Sequence, residues 1–187
     1  MKLQDVYGKC RPLPAELERD GTMLCPQPKI VDERRALKIQ RIVVHRVGGP
    51  EWPRTVPELV RSLTIPWYGA TKEYACPYAY LVDPYGLIWR MHDSITRVGQ
   101  HAGAWNRPGQ SIGLVGDFRV EHPTESQLQS AALLAERECL WLRVPIVNIS
   151  RHTDLRNATA HSGKRCPGPL LDIADLRRRV AAVRAGL

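Results

Sequence analysis

Nowhere in the 187 residues does a run approach the roughly 18 consecutive apolar positions that a membrane-spanning helix requires, so no membrane span is expected. The amino-terminal stretch MKLQDVYGKCRPLPAELERDG lacks the uninterrupted apolar region of a secretory signal, and a cytoplasmic start is expected. Internal repeats and low-complexity tracts are also missing. The five cysteines, Cys10, Cys25, Cys76, Cys139 and Cys166, are odd in number and form no CxxC pair, which excludes a dense disulfide scaffold and a structural zinc finger. A Cys10–Cys25 bridge is conceivable, although a reducing cytosol would oppose it. Helix-turn-helix, RNP-type aromatic strand and four-ligand finger signatures are absent, so no nucleic-acid partner is expected.

What is present is the composition of one folded domain. Hydrophobic residues at 43% and charged residues at 25% suit a single sizeable core. The net charge of +8 favours a polyanionic partner such as nucleic acid, an anionic membrane or an anionic cell wall, without choosing among them. The densest basic run, Arg177-Arg178-Arg179, falls on a helical pattern and reads as a solvated face.

Residues 1–38 are rich in proline and charge and read as an extension packed on the domain of residues 39–187. Ile42-Val43-Val44-His45 is a short β-branched run with charge before it and Gly48-Gly49-Pro50 after it, which predicts a buried strand ending near His45. Val56, Leu59, Val60 and Leu63 follow helical spacing, with Thr55 and Glu58 as a capping box and Pro66 as the stop. Tyr78 to Val82 and Leu87 to Trp89 flank the turn sequence Asp83-Pro84-Tyr85-Gly86 and predict an antiparallel hairpin. Tyr80, two residues from Tyr78, is expected on the same strand face as core packing. Ser111 to Gly116 is a further buried strand. Thr124 and Gln127, read as a capping box, open the longest helix, to Leu142, with Cys139 on its apolar stripe. Pro145 to Ile149 is expected as the last strand, and Ile173, Leu176, Val180 and Val183 mark a terminal helix capped by Asp172. Strands alternate with helices, but the hairpin prevents an all-parallel sheet. The predicted fold is therefore α/β: a single domain with a central mixed β-sheet flanked by helices.

A catalytic zinc site uses three protein ligands, commonly imidazole or thiolate, and leaves a position open. His45 at a strand end, His152 just after the last predicted strand and Cys166 in the following loop are candidates. Their spacing permits a site without diagnosing one. His92, His122 and His161 have no motif around them and read as surface residues. Cys76, just before Pro77 and Tyr78, reads as structural.

Five ordered segments carry a family resemblance: IVVH, YAYLVDPYG, VGQHAGAWNRPGQSIGLVGDF, SRHTDL and GKRCPG. Together, from about Ile42 to Asp172, they resemble the zinc-dependent N-acetylmuramoyl-L-alanine amidases, a group that includes phage lysozyme-amidases and peptidoglycan recognition proteins. The resemblance implies one catalytic Zn2+ held by His45, His152 and Cys166, with Tyr78 and Lys164 as catalytic auxiliaries. It places His101, Trp105 and Asn106 beside the substrate groove, where each is either a substrate contact or a structural residue. Some members carry a glutamate base in the strand that reads SIGLVGDF here, and this chain has no glutamate between Ser111 and Phe118.

The activity so implied is hydrolysis of the bond between N-acetylmuramic acid and L-alanine of peptidoglycan. The expected setting is a monomeric phage or prophage endolysin, cytoplasmic until it is released to the cell wall. The alternatives are a non-catalytic binder of muropeptides and a protein that regulates another enzyme through its surface. Retention of all five residues favours catalysis.

Overall fold

The computed structural model describes residues 14–21, 38–48, 55–64, 76–92, 99, 101–155 and 166–186. Six strands form one mixed sheet: β1 (Glu18–Asp20), β2 (Arg41–Val47), β3 (Tyr80–Val82), β4 (Ile88–Arg90), β5 (Gly109–Val115) and β6 (Ile149–Arg151), in the order β1-β4-β3-β5-β2-β6. Among the described strand pairs only β3 and β4, the predicted hairpin, run antiparallel. The buried Asp83 side chain holds the hairpin turn by accepting from the Tyr85 and Leu87 N–H groups, 2.9 Å each, and from Trp89 Nε1 at 3.2 Å. Gly86 closes that turn at φ +87°, a backbone state that a side chain would strain. Part of the amino-terminal extension, residues 18–20, supplies β1 and pairs with β4 at the sheet edge.

Among the described residues three α-helices cover the sheet: α1 (Val56–Thr64), α2 (Glu125–Leu142) and α3 (Ile173–Ala185). Strand alternation divides the core between two faces. Ile42, Val44, Tyr80, Val82, Ile112 and Leu114 face α2 and α3 in the larger cluster. Val47, Leu81 and Val115 face α1 in the smaller one, together with Cys76 and Met91. Thr124 and Asp172 cap α2 and α3 by accepting from Gln127 N–H at 3.1 Å and Ala174 N–H at 2.8 Å. Cys139 is core, as predicted, and burial pushes its thiol up to about 12. No helix among the described residues is long and apolar enough to cross a membrane.

Five local expectations need correction. Ile146–Asn148 is a 3₁₀ turn behind Pro145, closed by Asn148 N–H to the Pro145 carbonyl at 2.8 Å, and the strand begins only at Ile149. Proline followed by short-range bonding wins there, and Val147 is 66% exposed. Gln127 does not reach back to complete a capping box; its amide donates to the Val82 and Val115 carbonyls at 2.8 and 3.0 Å, tying α2 to the ends of β3 and β5. Tyr78 and Tyr80 lie on opposite faces, because Tyr78 precedes the strand and escapes its alternation. His92 is buried, beside the segment that carries Tyr78: the site of a Gly99 Cβ would be 3.3 Å from His92 Nε2 and 2.0 Å from the Pro77 carbonyl. The Arg177–Arg179 run is not a bare solvated face. Arg177 donates to the Ile149 carbonyl, and Arg179 pairs with Asp175 and Glu125.

Candidate metal centre

The site lies on the α1 side of the sheet, where β2 outruns its neighbour β6. The β2–β6 register covers Ile42 to Val44 only, so β2 runs on past its pairing with β6, and the Arg46 N–H beyond it meets Cys166. The chain leaving β6 turns immediately into a 3₁₀ turn, His152–Asp154, closed by Arg151 Nε bonding Asp154 at 3.0 and 3.1 Å. Thr153 then fastens the returning loop, its N–H and hydroxyl both donating to the Cys166 carbonyl at 3.2 and 3.0 Å. Two residues on, Gly168 at φ +117° passes so close to the Phe118 carbonyl that a Cβ would sit 2.4 Å from it. Leu170 N–H donates to the same carbonyl at 3.0 Å.

These constraints bring the three predicted ligands together. One ligand atom from each of His45, His152 and Cys166 lies within 4.8 Å of the others. The His45 and His152 ring centroids are 4.7 Å apart, and Cys166 Sγ is 3.7 Å from His45 Nδ1. Tetrahedral zinc with ordinary bond lengths separates a nitrogen and a sulfur ligand by about 3.5 Å. The donor set and its spacing therefore fit zinc.

The protonation state of His45 agrees with that use. His45 is fully buried, and burial first, then repulsion from His101 and His152, holds its imidazole well below the ordinary histidine range and therefore neutral. Burial pushes the Cys166 thiol up, opposed by the Arg46 backbone N–H and the Arg46 guanidinium. Arg46 is itself paired with buried Asp117. The Asp117 carboxyl is held at about 2, chiefly by hydrogen bonds from the Arg119 side chain at 2.7 and 2.6 Å, with Arg46 contributing and burial opposing.

Of the expected auxiliaries, Tyr78 packs its ring 5.1 Å from that of His45, while Lys164 lies outside the described residues. His161 and the conceivable Cys10–Cys25 bridge also lie outside them. His101 is buried against His45, ring to ring at 5.0 Å. Asn106 Oδ1 accepts from the His101 and Ala102 N–H groups at 2.8 and 2.6 Å, closing the loop between them. Trp105 packs with Val43, Ala102 and Leu155 under the Arg41 guanidinium, 5.3 Å from the ring. His122 is exposed, as expected.

The sequence reading missed the floor of the site. Gly109, Ser111 and Gly113 alternate on the β5 face turned toward His45. A Cβ at Gly109 would meet the Trp105 carbonyl at 2.5 Å and His101 Cε1 at 3.3 Å. At Gly113 it would meet Val47 at 2.5 Å, Leu81 at 2.8 Å and the Tyr78 ring at 3.3 Å. Between them, Ser111 Oγ accepts the Ala79 N–H at 2.9 Å and anchors the chain beside Tyr78. The signal was a two-residue period of small residues inside a buried strand.

The sequence profile of the N-acetylmuramoyl-L-alanine amidase family matches residues 35–169. No curated protein sequence matches the chain. Among solved structures, the endolysin amidase LysCS of Clostridium intestinale is similar at 22% identity and TM-score 0.58, covering 78% of this chain and 85% of that one. Drosophila peptidoglycan recognition protein SD is similar at 18% identity and TM-score 0.68, covering 86% and 91%. The Ph2119 endolysin of a Thermus scotoductus bacteriophage is similar at 16% identity and TM-score 0.63, covering 87% and 98%. At these identities the likeness establishes the fold.

Two outcomes are expected from this geometry. Gly113→Ala overpacks the sheet beneath Tyr78 and should cost about 1–3 kcal/mol in urea unfolding, with accommodation at no cost counting against the floor described here. The stabilisation from Asp117 is present above the ordinary carboxyl value of 3.8 and lost as pH falls toward about 2. It is worth about 2 kcal/mol by linkage, so the stability gap between wild type and Asp117→Asn should narrow by that amount between pH 5 and pH 2. A gap that does not change with pH would remove Asp117 from the acid response.

Proposed function

Because the chain belongs to the N-acetylmuramoyl-L-alanine amidase family, we propose that it hydrolyses the amide joining N-acetylmuramic acid to L-alanine in peptidoglycan, with one zinc ion held by His45, His152 and Cys166. The observation that carries this reading is the convergence of two imidazoles and one thiol, with their ligand atoms within 4.8 Å, where β2 runs past its pairing with β6. Zinc in such a site supplies Lewis acidity, which polarises an amide carbonyl and brings the pKa of water near neutrality.

The protein's own groups do the rest. Buried His45 stays neutral and so keeps a lone pair for the metal. Tyr78, anchored through Ala79 to Ser111, brings its ring against His45, where its hydroxyl would orient the attacking water or the scissile carbonyl. Lys164, two residues before Cys166, is assigned to the oxyanion that develops on that carbonyl. Trp105 and Asn106, on the loop of residues 101–106, are assigned to the substrate approach. The net charge of +8 favours encounter with an anionic wall, and the endolysins of the same fold suggest phage or prophage lysis as the setting.

Purified peptidoglycan digested with zinc-loaded protein should release peptide stems that begin at L-alanine, and chelation should abolish the release. Saturable binding with no new amino termini would instead make the protein a recognition module. Cys166→Ser should lose zinc and turnover together, and normal cleavage by that variant would overturn the ligand assignment. Tyr78→Phe should keep its zinc and lose roughly 10²-fold in kcat. Loss of zinc from Tyr78→Phe would reassign the tyrosine to building the site.

A further inference from the structure

His45 offers two ring nitrogens, and each faces a different neighbour. Nδ1 lies 3.7 Å from Cys166 Sγ, on the ligand side. Nε2 lies 3.0 Å from His101 Nδ1 in a buried contact. A neutral imidazole carries one proton, so the two nitrogens cannot both accept and cannot both donate. If the proton sits on His45 Nδ1 it points at the sulfur, and the lone pair needed for a metal is lost. If it sits on Nε2, it is donated to His101 Nδ1, and Nδ1 of His45 is left with its lone pair on the ligand side. The second arrangement requires His101 to accept, and therefore to carry its own proton on Nε2.

The His101 ring is held where it can do this. The Asn106 carboxamide oxygen takes the backbone N–H groups of both His101 and Ala102, fixing the loop at the point where the ring departs. Beneath the ring, Gly109 provides the space, since the site of a Cβ there is 3.3 Å from His101 Cε1. His101 itself is 8% exposed, so the contact is screened from water that would compete for the same proton.

We infer that His101 is a positioning residue that selects the metal-binding tautomer of His45 by accepting its Nε2 proton. The inference rests on the zinc reading above and deepens it. A histidine ligand whose distal N–H has a fixed acceptor is oriented and made more basic, and loss of such a partner typically weakens metal binding 10–100-fold. A residue that only touched the sugar or peptide would leave zinc affinity unchanged and would act on KM.

The test is competition between the protein and a chromophoric chelator for zinc, for wild type, His101→Leu and His101→Asn. Thermal unfolding of each metal-free form is measured in parallel. Leucine fills the space and accepts nothing, whereas the asparagine carboxamide oxygen sits near the position of Nδ1. Wild type should bind one zinc, His101→Leu should bind it 10–100-fold more weakly, and His101→Asn should recover most of the loss. Wild type that binds no zinc refutes the metal reading itself. Wild type that binds zinc no more tightly than His101→Leu refutes only the role of His101. Equal loss in both variants would mean that ring packing matters and the proton does not, and would also refute it. Imidazole 15N NMR of the zinc-loaded wild type needs no variant: His45 should be protonated at Nε2 and His101 at Nε2, and a proton on His101 Nδ1 would overturn the inference.

Discussion

A histidine buried to 1% exposure on β2 is the constraint on which the rest of the site depends. Charging it there would cost several kcal/mol, so it must remain neutral, and each of its nitrogens needs a polar neighbour. The fold supplies those neighbours from distant parts of the chain. His101 comes from a loop before β5, His152 from the turn after β6, and Cys166 from the loop that Thr153 and Phe118 hold in place. None of the four elements makes a site alone.

Strand β5 shows how one segment serves two purposes. Its Ile112 and Leu114 fill the apolar core beneath α2 and α3, where volume is what stabilises. On the other face Gly109, Ser111 and Gly113 keep volume low, so that the His101 and Tyr78 segments lie close against the sheet beside His45. The strand is weakened by having two glycines, and neighbouring rings fill the space they leave. Gln110 belongs to neither arrangement: it donates to Glu138 at 3.0 Å in a buried polar network that also includes Arg137 and Tyr80. Burial raises the Glu138 carboxyl, and these donors oppose the rise.

Much of the positive charge among the described residues is engaged in ion pairs within the fold. Arg46 and Arg119 converge on Asp117, Arg184 meets Glu136, and Arg179 joins α3 to the start of α2 through Glu125. Arg46 and Arg119 hold the end of β5, from which Phe118 fixes the Cys166 loop. A basic composition therefore does not translate directly into a basic binding face, and the charge supports the site partly by bracing its scaffold.

The sequence by itself determined the elements whose signals are local: the β2 run around His45, the Asp83–Gly86 hairpin, and the two long helices with Thr124 and Asp172 as caps. It also picked out the three candidate ligands that the fold brings together, because a family resemblance reads residue types in order and does not need their positions in space. Boundaries set by short-range competition were not legible, as where Pro145 turns the chain before β6. Only the tertiary structure decided that Tyr78 faces the site while Tyr80 faces the core, that Gln127 joins strands rather than its own cap, and that His92 is buried. The same holds for His101: its sequence neighbours say nothing about the His45 nitrogen that lies 56 positions away in the chain. Hydrogen-bond partners so far apart are chosen by sheet register and loop closure, and those are properties of the packed chain.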